Sequence, residues 1–205
     1  MTPRTITTAQ ADALLDELLN PEGHYHQDRN PLRDHALCLF MLETGLRVRE
    51  LSLLQMTDLV FNTQPVSNLI VRKEIAKRKV ERLIPVSSKL AAEIRQLRDR
   101  VWHSLNGQHP PWAFPSRNPS KPLSTRTIEL IIRRAAIKSL GRVVTPHMLR
   151  HTFATNLMRV APARVVQELL GHASIRTTQI YSHPNLDDLR YAILRKDEPQ
   201  QETTP

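Results

Sequence analysis

A chain of 205 residues with 40% hydrophobic and 24% charged residues has the length and composition of one well-buried globular domain, or of one domain with an arm. A single cysteine, Cys38, excludes an internal disulfide. No apolar run approaches the roughly 18 residues of a membrane helix, and Met1–Gln10 lacks the apolar core of a secretory signal, so an intracellular protein with no membrane partner is expected. The net charge of +9 is concentrated: residues 72–164 hold 20 Lys/Arg against 5 Asp/Glu, a focused basic region that suits a polyanion, most simply nucleic acid.

Thr7 and Gln10 form a capping-box pattern that opens an amphipathic helix to about Leu19, with Leu14, Leu15, Leu18 and Leu19 on one face. Pro21 to Pro31 reads as a polar loop. A buried helix follows from about Leu32 to Glu43 and stops at Gly45, with Cys38 inside it as a small hydrophobe. Val48, Leu51 and Leu54 mark a short helix. Asn68–Lys73 and Arg82–Val86 read as two strands, with a basic hairpin tip between them. Ser87 or Ser88 caps a helix reaching about Leu105. Five prolines between Pro110 and Pro122 give an extended loop. Helices are expected near 124–139, 146–159, 163–170, 175–182 and 186–195, and a polar tail over 196–205. The sum is one mostly helical domain with a small sheet.

Two stretches carry chemistry. In T-P-H-M-L-R-H-T-F-A-T, residues 145–155, His147 and Arg150 are three apart and share one helix face. Thr145 caps that helix and Pro146 suits its first turn, so the pair sits at the positive end of a helix dipole, a natural place for a phosphate. In L-L-G-H-A-S-I-R-T-T-Q-I-Y-S-H, residues 169–183, His172 precedes Tyr181 by nine residues. Any one of these residues alone is more often structural. Together, without a carboxylate cluster, they suit phosphate chemistry by a protein nucleophile without a metal. His24 and His26 invite a metal reading, but no cysteine or carboxylate set accompanies them, and no metal or cofactor is expected.

H-M-L-R-H-T-F-A-T followed by L-G-H-A-S-I-R-T-T-Q-I-Y resembles the catalytic signature of the tyrosine recombinases, the phage-integrase family. T-G-L-R-V-R-E-L, residues 44–51, resembles that family's arginine box, and K-R-K-V-E-R-L-I-P-V, residues 77–86, its lysine hairpin. The four motifs stand in the family's order and cover nearly the whole chain. The resemblance implies a mainly α fold with a small antiparallel β-sheet, a catalytic domain over residues 1–195, and transesterification of double-stranded DNA without metal or ATP. Tyr181 would attack a phosphodiester, leaving a 3′-phosphotyrosine and a free 5′-hydroxyl. A second 5′-hydroxyl then reverses the step.

By the same resemblance, Arg47 and Arg150 clamp the non-bridging phosphate oxygens, and His147 and His172 handle protons or donate to the phosphate. Lys77 protonates the departing 5′-oxygen. Ala76 and Arg78 replace the glycines usual around that lysine, which leaves Lys73 and Lys79 as rivals. Glu50 buttresses Arg47, either as its ion-pair partner three residues on or by orienting it. His151 supports the fold by bonding inward, and Arg49 does not match the box. Longer family members carry a DNA-binding domain before the catalytic one. Here the catalytic pattern starts almost at once, as in short members such as the fimbrial phase-variation invertases. The expectation is therefore no separate N-terminal domain, weaker DNA binding, and reliance on tight protomer assembly in a tetrameric synapse or on an accessory DNA-bending protein. A type IB topoisomerase-like strand swivelase and a non-catalytic DNA-binding regulator are the competing readings. The full set of six candidate catalytic residues argues against the regulator.

Overall fold

The structure, a computed structural model, describes residues 5–20, 30–103 and 111–171. Several expectations lie outside the described residues: His24 and His26, the helix end near Leu105, His172, Tyr181, the helices at 175–182 and 186–195, and the tail.

Helix α2 (Pro31–Thr44) organises the core. Asn30 caps it by accepting the Arg33 N–H at 3.0 Å, Pro31 starts it, and Gly45 ends it in the left-handed region. Its residues Ala36 to Met41 are all buried, so it is apolar on every face and is wrapped by other helices. Phe40 meets Phe114 edge to face at 5.5 Å. Burial pushes the Cys38 thiol up to about 12.

Helix α1 (Thr8–Leu19) packs on α2 through Leu14, Leu15 and Leu18. The capping box is present in both directions, Gln10 N–H to Thr7 Oγ1 and Thr7 N–H to Gln10 Oε1. The apolar face ends one residue early: Leu19, at the last position of the helix, is left exposed.

Helix α3 (Val48–Ser52) matches the short helix expected there. Helix α4 (Met56–Leu59) and a hairpin of β1 (Val60–Phe61) and β2 (Gln64–Pro65) were not expected. Asn62 and Thr63 both have positive φ, the signature of a two-residue hairpin turn, but the glycine that normally announces such a turn is absent. Among the described residues the sheet component is therefore two separate two-stranded sheets. The second pairs β3 (Asn68–Val71) with β4 (Arg82–Pro85), Val71 opposite Arg82 and Ile70 opposite Leu83. Strand β3 stops two residues short of the expected end. Arg72 turns away to bond Asp58 through Nε and Nη2, and its carbonyl accepts the N–H groups of Ile75 and Ala76.

Ser87 caps α5 (Ser88–Gln96), which continues as a π-helical stretch over Leu97–Trp102. The proline-rich loop is tied down by bridges Gln55–Trp112 and Pro115–Pro122. Helices α6 (Thr125–Leu140), α7 (Pro146–Met158) and α8 (Ala163–Leu170) follow within one or two residues of expectation. Thr145 caps α7 by accepting the Met148 N–H at 3.3 Å. Helix α7 packs against α2 and α8, with Ala154, Val166 and Leu170 forming a small apolar cluster of their own. Among the described residues no helix is long and apolar enough to cross a membrane.

Candidate active site

Arg47 is the N-cap of α3, in extended conformation, so its own N–H points toward the first turn of the helix. Glu50, three residues on, takes that N–H on Oε2 at 2.9 Å and the Arg47 Nη1 on Oε1 at 2.9 Å. The ion pair with Glu50 three residues on is present, and it fixes the direction of the Arg47 guanidinium. A quarter of the Arg47 side chain stays exposed, whereas Glu50 is buried.

A buried carboxylate needs more than one partly exposed cation. The second is Arg82, which the sequence reading left out. Its Nη1 and Nη2 fork onto Glu50 at 3.1 and 2.6 Å, and its Nε donates to the Leu169 carbonyl at 2.9 Å. Burial alone would raise the Glu50 carboxyl. The hydrogen bonds and charges of Arg82, then of Arg47, outweigh it and hold the group at about 2. One signal could have revealed Arg82: it alternates in phase with Ile84 on the inward face of β4, and a charge at an inward strand position needs a buried partner.

Arg150, the fifth residue of α7, is 4% exposed. Nη1 donates to the Gly45 carbonyl and Nη2 to the Leu170 carbonyl, the latter at 2.8 Å. It therefore joins the C-terminal ends of α2 and α8, at a carbonyl two residues before Arg47 in the chain. The close passage at Gly45 is enforced: φ is 61°, and a Cβ there would stand 2.4 Å from the Phe153 ring. His147 is exposed in the first turn of α7. Its Nε2 lies 2.7 Å from the Nε2 of His151, ring against ring at 89°. His151 is buried, and with one Nε2 donating to the other at least one of the two rings is neutral.

The hairpin loop between β3 and β4 is more than a solvated tip. Ile75 and Ala76 are buried and anchor it, while Lys77, Arg78 and Lys79 are exposed. An open cleft of about 1140 Å³ lies between this hairpin, Arg47 and the last turn of α8, with Lys77, Arg82, Leu169 and Gly171 on its walls. Of the three candidate lysines, Lys77 lines the cleft, and Lys73 and Lys79 do not. Arg47 and Lys77, thirty positions apart in sequence, thus meet at one opening. His147 and Arg150 are not on its walls. His172 and Tyr181 lie outside the described residues.

The phage integrase family model matches residues 4–187. The chain belongs to the phage integrase family. Among its relatives, the tyrosine recombinase XerA of Pyrococcus horikoshii is 40% identical over 166 residues, covering 79% of this chain and 54% of the relative. A crystal structure of XerA recombinase superposes with a TM-score of 0.76 at 29% identity, covering 97% of this chain and 67% of that one. The fold is also that of the XerH site-specific recombinase crystallised bound to its difH substrate, with a TM-score of 0.70 at 20% identity, covering 96% of this chain and 55% of that one. The chain spans little more than half the length of the curated integrase-family relatives it matches.

Proposed function

We propose that this chain is the catalytic part of a site-specific recombinase that cuts and rejoins double-stranded DNA through a 3′-phosphotyrosine on Tyr181. The observation that carries the reading is the meeting of Arg47 and Lys77 at one cleft walled by the end of α8 and Gly171, the residue just before His172 in the sequence. Related folds crystallised with DNA support DNA as the substrate class, as does the basic middle of the chain.

In this reading the Tyr181 hydroxyl, with an ordinary pKa of about 10, loses its proton as its oxygen bonds to phosphorus, and His147 or His172 takes that proton. Arg47 and Arg150 hold the charge that gathers on the non-bridging oxygens. Arg150 reaches the phosphate by giving up one of its present carbonyl partners. The phosphorus–O5′ bond breaks, and the Lys77 ammonium gives its proton to the departing 5′-oxygen. The reverse attack by another 5′-hydroxyl releases Tyr181, so the bond energy is conserved and no ATP is consumed. Assembly of several copies on DNA, with or without a DNA-bending protein, and an intracellular location complete the proposal. A nicked duplex that traps the cleaved strand tests it: the wild-type chain forms a denaturant-stable DNA adduct and Tyr181→Phe does not. Failure of the wild type on every cognate site would sink the enzyme reading. Supercoiled plasmids with one or two sites then separate strand swivelling, which needs one, from recombination, which needs two.

A further inference from the structure

The proposed chemistry uses Arg47 and Lys77, yet Arg47 caps α3 and Lys77 sits on the β3–β4 hairpin, and both face the end of α8 across the cleft. We infer that Arg82 is a positioning residue for the reaction: it locks Arg47, the lysine hairpin and the exit of α8 into one rigid unit. The inference rests on the recombinase reading above.

Glu50 is the hub of this unit. Its two oxygens receive four N–H donors, two from Arg47 and two from Arg82, at 2.6–3.1 Å. Four donors fill the acceptor positions of a carboxylate, so neither arginine can shift without leaving a buried charge short of a partner. The third bond of Arg82, from Nε to the Leu169 carbonyl, reaches a group that the end of α8 leaves without a helical donor. Arg150 does the same for Leu170 from the other side and carries the contact on to Gly45, two residues before Arg47. Two cations thus sit at the negative end of α8, where the dipole favours them.

Arg82 is itself a residue of β4, and the loop between β3 and β4 presents Lys77, five residues earlier. The backbone leaves α8 directly over the arginine. Gly171 has φ 62°, and a Cβ on it would stand 3.2 Å from Arg82 Cδ and 3.4 Å from Nη1. The guanidinium therefore holds Arg47 through their shared partner Glu50 and packs against the backbone at Gly171, one residue before His172 in the sequence. A lysine cannot replace it: an ammonium is a point charge and cannot fork onto Glu50 while also bonding Leu169.

The test uses the full-length chain and a nicked DNA substrate at saturating protein. DNA affinity is measured separately, and folding of each variant is checked by circular dichroism. Arg82→Lys should slow single-turnover adduct formation by about 10- to 100-fold, as small misplacements of reacting groups do, with DNA affinity nearly unchanged. In an Arg47→Lys background the same substitution should cost much less, because the group it positions is already gone. A purely structural loss would lower folding and binding together and would stay additive with Arg47→Lys. Gly171→Ala crowds Arg82 from the other side and should give the same slow cleavage with intact binding if Arg82→Lys fails to fold. Folded variants that cleave at the wild-type rate, or additive losses in the double variant, would overturn the role of Arg82 while leaving the recombinase reading in place. A wild type that forms no adduct would overturn the recombinase reading, and the role of Arg82 with it.

Discussion

Glu50 concentrates the electrostatics of the site in one buried carboxylate. Its group sits at about 2 against an ordinary 4.5, because Arg82 and Arg47 stabilise the charged form more than burial opposes it. A depressed carboxyl stabilises the fold fully above its unfolded value, and that contribution disappears as pH falls through the folded value. Glu50→Gln should therefore destabilise the protein at neutral pH by about 3 kcal/mol or more, since it leaves Arg82 buried without its counter-charge. The gap to wild type should narrow steadily from about pH 4.5 down to about pH 2. Urea unfolding at a series of pH values measures this, and a gap independent of pH would show that Glu50 is not held as the anion. Helix-face spacing paired His147 with Arg150, whereas Arg47, Glu50 and Lys77 were expected from the resemblance to the tyrosine-recombinase motifs. Their partners were not legible there, because the bonds from Arg82 to Glu50, Arg82 to Leu169 and Arg150 to Gly45 cross 32, 87 and 105 residues. No local pattern encodes a contact at that distance, and only the in-phase charge on β4 hinted at one of them.

At the scale of elements, helix ends were the legible part. Thr7, Ser87, Thr145 and Gly45 all act as the caps their sequence suggests. The missed pieces are those whose signal is not local. The β1–β2 turn lacks a glycine, Arg72 ends β3 by finding Asp58, and α5 widens into a π-helix with no proline or glycine to announce it. The helix-ending glycines also differ in what they permit. Gly45 is crowded by Phe153 and Leu170, while a Cβ on Gly141 would meet nothing within 4 Å, although both have φ above 60°. Gly141→Ala should cost only the left-handed conformation, about 1 kcal/mol. Gly45→Ala adds overpacking and should cost about 2–4 kcal/mol. It should also weaken cleavage, because the Gly45 carbonyl holds Arg150. Denaturant midpoints and adduct yields of the two variants check the order, and equal losses would contradict it.

For the whole molecule, charge and connectivity point the same way. The 20 basic against 5 acidic residues in 72–164 span the hairpin, α6, α7 and the start of α8, so Lys77, Arg82, His147 and Arg150 all lie within the basic segment. Binding to duplex DNA should then be dominated by counterion release and fall by about 10³-fold or more between roughly 50 and 200 mM salt. Fluorescence anisotropy reads this, and a loss of less than about tenfold would mean that few phosphates are engaged. The central claim is that Tyr181 becomes the covalent carrier of the cut strand. Its most direct measurement is proteolysis and mass spectrometry of the adduct formed on a nicked substrate. A nucleotide on the peptide containing Tyr181, lost in Tyr181→Phe, is the predicted result. An adduct on another residue, or one that survives Tyr181→Phe, would contradict it.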